Sequence, residues 1–271
     1  MPQKDWPRTA SLPVLQLVEI KGNSSNGYNK RLLKTACEMR NQYEIQMALK
    51  AYGGDIQKAL KDNHRLDYFY ALSDQRELLL EWYDFEPEAR LLQVGADYGA
   101  MTGLYRSEAG QVTVLDGRQE ALETVRLRYP SAENIHYVQK SLEEYAAEAA
   151  AMYDYVVMIG MENAPCQEEI DAAERLLKPD GVLILAASNA LGMKYHAGTA
   201  REENALTKRQ IQRMLQGKGR GGAGQECDGN RQECGESRQE ALEQTERAES
   251  GFVRFYYPMP DYRTPVSIYS D

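Results

Sequence analysis

Two glycines and one acid define the chemistry open to this chain. Gly95 and Gly99 bracket the turn Gly95-Ala96-Asp97-Tyr98-Gly99, which follows the apolar run Leu91-Leu92-Gln93-Val94. Asp116 closes a second apolar run, Val112-Thr113-Val114-Leu115, seventeen positions after Gly99. Glycine has no Cβ, so the backbone turns sharply there and a ligand can approach closely. The first N–H groups of the helix that follows lack partners inside it and can meet a carboxylate or another anion. A carboxylate at the end of the next strand can accept hydrogen bonds from a ribose diol. Strand, glycine turn, helix, strand and acid, in that order, form the first half of a nucleotide-binding α/β unit. The dinucleotide fingerprint G-x-G-x-x-G fails twice, at Asp97 and at Thr102, which disfavours a nicotinamide-dependent oxidoreductase.

The elements that must position these residues can be read from the alternation around them. Residues 1–29 read as an irregular leader with Pro2, Pro7 and Pro13. A helical pattern runs from 29 to about 52 and ends at Gly53-Gly54. Asp55 caps a shorter helix. Residues 65–83 read as two helical pieces, with Ser73 as N-cap and Glu77 near the box position. Tyr68 and Tyr70 can pack these helices on the sheet. After Asp116 come a helix over 119–129, a strand over 135–139 and a helix over 142–152. A buried strand over 153–160, a helix over 167–177, a turn at Pro179-Asp180-Gly181 and a strand over 182–187 follow. This alternation predicts an α/β fold with a doubly wound parallel sheet. Thr207 caps a helix to 215. Residues 217–250 carry almost no large apolar side chains and read as a disordered insertion. Strands over 251–257 and 266–269, joined by a turn at 258–265, end the pattern.

Composition narrows the function classes. A net charge of −9 argues against a nucleic acid partner, which needs a basic face. No apolar run approaches the roughly 20 residues of a membrane span, and the N-terminus lacks a signal-peptide core, so a cytoplasmic location is expected. Cys37, Cys166, Cys227 and Cys234 form no C-x-x-C pair, and no metal site is expected.

Four segments share a resemblance. The turn looks like motif I of class I S-adenosylmethionine-dependent methyltransferases, h-h-x-h-G-x-G-x-G followed by an acid. Gln93 stands where that motif usually has an acid, and Asp97 where it has its middle glycine. YVQKSLEEY (137–145), YDYVVMIG (153–160) and LLKPDGVLILAASN (176–189) resemble the later strands of the same class, in the same order. The resemblance implies a seven-stranded Rossmann-like sheet ending in an antiparallel hairpin. The domains expected are a leader and helical extension over 1–72 and a methyltransferase domain over 73–271; in the class a helix before the first strand often covers the open side of the cofactor pocket, a role open to Tyr68, Tyr70 and Arg76.

The implied cofactor is S-adenosyl-L-methionine. Gly95, Ala96, Asp97 and Gly99 would surround its methionine part. Asp116 would hold the ribose, with Gly117 and Arg118 beside the adenine edge. Ser141 and Leu142 would flank the adenine, and Gly160 and Met161 would line the floor with Glu162. NALGMKYHAG (189–198) and GFVRFYYPMPDYRTPVSIYSD (251–271) also resemble bacterial methyltransferase-domain proteins linked to surface polysaccharide or lipopolysaccharide biosynthesis, some joined to glycosyltransferase modules. The implied reaction is methyl transfer to an O or N atom of a small molecule or glycan precursor. His196, Glu162 and Tyr195 are the catalytic candidates, with Asn163, Asn189, Lys194, Asp261 and Tyr262 also on the acceptor side. The substitutions at Gln93 and Asp97 motivate the alternative, a methyltransferase-like accessory or interaction domain without catalysis.

Overall fold

A computed structural model describes residues 43–150, 152–159, 165–199, 202, 205–216, 253–259, 263 and 265–270. Three helices lead: α1 over 43–51, α2 Ile56–Asp62 and α3 Leu66–Leu72. Asp55 caps α2 as expected, accepting from the Lys58 N–H at 3.0 Å. Ile45, Leu49, Ala59, Tyr68, Ala71 and Leu72 form a small core among the three helices, and Tyr98 of the glycine turn packs against it. The expected helix start, 29–42, lies outside the described residues.

The second helical piece expected before Pro87 is instead a 3-10 segment, Asp74–Leu79. Ser73 does cap it, accepting from the Gln75 N–H. Glu77 does not reach back to complete a capping box. Its carboxylate accepts from the Leu104 N–H at 3.1 Å, a partner distant in sequence.

The sheet follows: β1 Arg90–Val94, α4 Thr102–Glu108, β2 Gln111–Leu115, α5 Gln119–Arg128, β3 Ile135–Val138, α6 Leu142–Glu148, β4 Tyr153–Met158, α7 Gln167–Leu176 and β5 Leu177–Leu185. Five parallel strands lie in the order β3-β2-β1-β4-β5. Alternate residues serve opposite faces, as strand geometry requires. Leu91, Val112, Val114, Tyr155 and Val157 meet α4 and α5. Leu92, Val94, Leu115, Val156 and Met158 meet α6 and α7. The expected doubly wound arrangement is therefore present. Strand order reverses between β1 and β4, the place where open sheets of this kind bind ligands.

Two expectations change. The turn at Pro179-Asp180-Gly181 sits inside β5 as an irregularity, because Tyr153 pairs with Leu177 while Tyr155 pairs with Val182. A Cβ at Gly181 would lie 3.0 Å from the Tyr153 carbonyl oxygen, so the bulge needs glycine. The terminal strands, β6 Tyr256–Met259 and β7 Ser267–Ser270, pair with each other as a separate antiparallel hairpin. Among the described residues the main sheet has five strands, and the seven-stranded sheet is not formed. The hairpin is held through side chains instead: Tyr256 meets Trp82 at 4.8 Å between ring centroids, and Ile268 packs on the core beneath β1. Pro258, expected in the turn, lies within β6, where it offers no N–H to a further strand.

Among the described residues two short helices lie between β5 and the hairpin: α8 Met193–His196 and α9 Lys208–Gln216. Thr207 caps α9 as read from the sequence, accepting from the Gln210 N–H. Among the described residues no helix is long and apolar enough to cross a membrane. The insertion at 217–250 lies outside the described residues.

Candidate active site

The turn after β1 is held in an uncommon backbone conformation. Gly95, Asp97, Tyr98 and Gly99 all have positive φ, at 86°, 39°, 54° and 75°. Two of these four residues are not glycine, and an L side chain at positive φ is costly unless its surroundings hold it there. Asp97 therefore keeps the backbone that glycine would adopt at that place, while adding a carboxylate. At Gly99 a Cβ would come within 3.2 Å of Arg128 Cδ and the Tyr129 ring, so space as well as φ calls for glycine.

The surroundings that hold the turn can be named. Gln93 is buried on the α4 face of β1. Its Nε2 donates to the Gly95 carbonyl at 3.0 Å and the Ala96 carbonyl at 3.4 Å, and its Oε1 accepts from the Thr102 hydroxyl at 2.8 Å. An ionised acid could not donate to those carbonyls. Gln93 thus does as an amide what a carboxylate could not, and it fastens the turn to the start of α4. The other carbonyls are met by the Ala100 N–H, Arg128 Nη1 and the Tyr129 hydroxyl, at Asp97, Tyr98 and Gly99 respectively.

Asp116 faces this turn across the carboxyl ends of β1 and β2. It is buried, and its Oδ2 accepts from the Ala96 N–H at 2.9 Å. Its Oδ1 accepts from the Arg118 N–H at 2.9 Å and Arg118 Nε at 3.1 Å, while Oδ2 also accepts from Arg118 Nη2 at 3.2 Å. The glycine turn and the acid expected to act together are therefore joined by a direct hydrogen bond. A Cβ at Gly117 would meet nothing within 4 Å, so the backbone between Asp116 and Arg118 is open to an approaching group.

The segment 74–79 adds two charges here: Arg76, which the resemblance offered as a cover for the cofactor pocket, and Glu77, expected only near a capping position. Arg76 is buried and forms an ion pair with Asp97, and its Nη2 donates to the Tyr70 carbonyl. Glu77 lies against the start of α4 through Leu104. Burial raises the Glu77 carboxyl above the ordinary glutamate range, and the nearby Arg128 charge partly opposes this. The N–H groups expected to await an external anion are thus partly served by the protein's own carboxylate. Sequence pattern gave no signal for these contacts beyond the acid and base at consecutive positions, because they join residues more than twenty apart. Tyr68 packs in the α1–α3 core, against which Tyr98 of the turn also packs.

The remaining candidates scatter. The Ser141 hydroxyl caps α6, accepting from the Glu144 N–H, while Glu144 accepts from the Ser141 N–H. Leu142 is buried on the α6–α7 side of the sheet. Tyr195 and His196 lie on α8, beyond the carboxyl end of β5. The Tyr195 hydroxyl is buried without a hydrogen-bond partner among the described residues, and His196 is exposed. Neither side chain is hydrogen-bonded to the glycine turn. Lys194 pairs with Glu202 at 2.9 Å. That pairing and a hydrogen bond to Ser188 hold the Glu202 carboxyl below the ordinary range against the opposing pull of desolvation, the largest single influence. Asn189 pairs with Leu206 and closes the loop that contains α8. Gly160, Met161, Glu162, Asn163, Asp261 and Tyr262 lie outside the described residues. Among the described residues no group of His, Cys, Asp and Glu side chains could hold a metal ion.

Comparison with known proteins adds an independent line. Residues 91–181 match the family model described as a methyltransferase domain. The ubiquinone biosynthesis O-methyltransferase of Salmonella paratyphi A is 34% identical over 109 residues, 39% of this chain and 45% of that protein. The protein of the same name from Escherichia coli O9:H4 is 31% identical over 120 residues, 43% of this chain and 50% of that protein. The chain thus spans about half the length of the curated relatives it matches. Among solved structures, the N-methyltransferase NodS from Bradyrhizobium japonicum in complex with S-adenosyl-L-homocysteine aligns with 16% identity and a TM-score of 0.42, over 65% of this chain and 85% of that one. The glycine turn, Gln93 and Asp116 all fall inside the segment 91–181, which carries the pattern of a methyltransferase domain.

Proposed function

We propose that this chain is an S-adenosylmethionine-dependent methyltransferase acting on an O or N atom of a small molecule. The observation that carries the reading is the buried Asp116, hydrogen-bonded to the Ala96 N–H within the methyltransferase-domain segment. An acid fixed by the turn it faces is already oriented toward a ribose diol, so its own carboxylate needs little ordering on binding. The cofactor fits at this end: the turn's backbone, Asp116 and the open Gly117 suit an adenosyl group. At the other end Asp97 and Arg76 offer one charge of each sign, which suits the ammonium and carboxylate of a methionine once the pair parts. When bound, the cofactor supplies a methyl group made electrophilic by the sulfonium. The chain's work is then to align a nucleophile, exclude water and accept a proton.

On the acceptor side the reading assigns that work to Tyr195 and His196 of α8, with Glu162 after β4. The names of the matched relatives favour an oxygen nucleophile. A glycan precursor as acceptor, and an association with glycosyltransferase modules, rest on segments 189–198 and 251–271. Both segments lie outside the matched residues 91–181.

Calorimetric titration with S-adenosylhomocysteine tests the proposal. Saturable binding that is lost in Asp116→Ala supports it. The ion pair on Asp97 and the carboxylate on α4 favour a second reading, a domain that keeps the fold but does not admit the cofactor. No binding at millimolar ligand, in the wild type and in Asp97→Gly alike, would establish that reading instead.

A further inference from the structure

We infer that the Arg118 guanidinium occupies the ribose position on Asp116 and acts as a latch that the adenosyl ligand must displace. This rests on the cofactor reading above. The inference comes from counting acceptor sites. A carboxylate offers about four lone-pair sites to hydrogen-bond donors. Asp116 accepts four hydrogen bonds from the chain itself: the N–H groups of Ala96 and Arg118, and Nε and Nη2 of the Arg118 side chain. Its capacity is full while Arg118 stays in this position.

The four donors differ in what removing them would require. The two backbone N–H groups belong to the glycine turn and to the entry of α5, and they leave only if those elements move. The two guanidinium donors sit on a side chain that is 48% exposed, whereas the Asp116 side chain is 6% exposed. Moving the Arg118 side chain off Asp116 leaves the backbone untouched. A ribose presents two vicinal hydroxyl donors, so a diol replaces two N–H donors one for one. A single hydroxyl would leave one acceptor site of a buried carboxylate without its donor.

Two consequences follow, and neither belongs to a merely structural arginine. Ligand affinity must rise when the latch is removed, because the ligand no longer competes with it. Affinity of the wild type must also rise with ionic strength. Salt screens a half-exposed ion pair and so weakens the competitor. An ordinary electrostatic contact to ligand gives the opposite trend.

The experiment uses 5′-methylthioadenosine, which carries the ribose diol but no amino-acid charges and so leaves the Arg76–Asp97 pair aside. Its dissociation constant is measured by calorimetry on the full chain for wild type, Arg118→Ala, Arg118→Gln and Asp116→Ala. Each is measured at about 0.05 M and about 0.5 M salt, conditions of long and short screening length. The expected result is tightening of about two- to fivefold in Arg118→Ala, the scale of an exposed ion pair. Arg118→Gln, which keeps the side chain's reach without its charge, should tighten comparably. Wild-type binding should tighten with salt, and that dependence should vanish in both variants. Binding that is lost in Asp116→Ala but unchanged or weaker in both Arg118 variants would overturn the latch and leave the cofactor reading standing. No binding to wild type or to either Arg118 variant, with S-adenosylhomocysteine also silent, would overturn both.

Discussion

One carboxylate sits in the glycine turn and another faces it, and each is answered by an arginine, yet the two pairs are physically different. Asp97 and Arg76 are 13% and 6% exposed, and they join the turn to the segment 74–79. Asp116 and Arg118 belong to one tight stretch after β2, and the arginine is 48% exposed. A buried pair holds itself together because either charge alone would be stranded away from water, while a half-exposed pair gains little and opens easily. The same two residue types thus brace the chain on one side of the turn and leave an exchangeable contact on the other.

The largest expected effect tests the buried pair. Arg76→Met or Asp97→Gly should each cost about 3–5 kcal/mol of stability, the usual result of leaving one buried charge without its partner. Asp97→Gly loses stability even though glycine suits φ +39° better. The double variant Arg76→Met with Asp97→Gly should recover most of the loss. Urea unfolding of the four proteins measures the coupling, and simple additivity would show that the pair does not brace the turn.

Asp116→Ala comes next. It removes the acceptor of the Ala96 N–H and the proposed ribose anchor together. Affinity for S-adenosylhomocysteine should fall by about a hundredfold or more, from losing two hydrogen bonds to a charged group. Titration calorimetry measures it, and wild-type affinity in this variant would remove Asp116 from the site.

Gln93→Ala should cost about 1–3 kcal/mol, because the Gly95 carbonyl and the Thr102 hydroxyl are left buried without that partner. Gln93→Glu should cost a similar amount at neutral pH, since an ionised carboxylate offers no donor to the carbonyl. Denaturant midpoints of the two variants check this. A stable Gln93→Glu would mean that the turn does not depend on the amide.

The smallest effect is a pH dependence at Glu77. Burial raises this carboxyl in the folded chain above its unfolded value. Folding therefore takes up protons between those two values. The stabilisation is complete below the unfolded value and is lost as pH rises through the folded one. Glu77→Gln can still accept from the Leu104 N–H but does not titrate. Its stability should change less than that of the wild type across the weakly acidic range. Parallel pH series of thermal unfolding would show equal slopes if Glu77 titrates normally.

Much of the arrangement was legible beforehand because it follows from local rules. Strand alternation, the caps at Asp55 and Thr207, and the glycines at 95 and 99 depend on near neighbours along the chain, and each appears where the pattern put it. The terminal hairpin shows the boundary of such rules. Its strands formed from their own pattern, but whether they join the main sheet depends on a distant edge. Trp82 and the core beneath β1 hold the hairpin through side chains instead. At the candidate site, the spacing of the glycine turn and Asp116 foretold that turn and acid would meet, as they do through the Ala96 N–H. The placement of Glu77 on α4 and of Arg76 on Asp97 was not foretold, and the Pro179-Asp180-Gly181 turn became a bulge once β5 paired with β4.

The amino-acid order alone determined a parallel α/β sheet with a glycine turn and an acid at adjoining strand ends, since period-two apolar runs and residues free of Cβ act over a few positions. Only the folded chain decided which charges reach the glycine turn and the start of α4 from outside. Ion pairs and caps between remote segments arise from where packed elements bring them, and no spacing along the chain encodes that. Asp97 therefore ended beside Arg76 and Glu77 against the start of α4, whereas Asp116 is answered by Arg118 from the same short stretch.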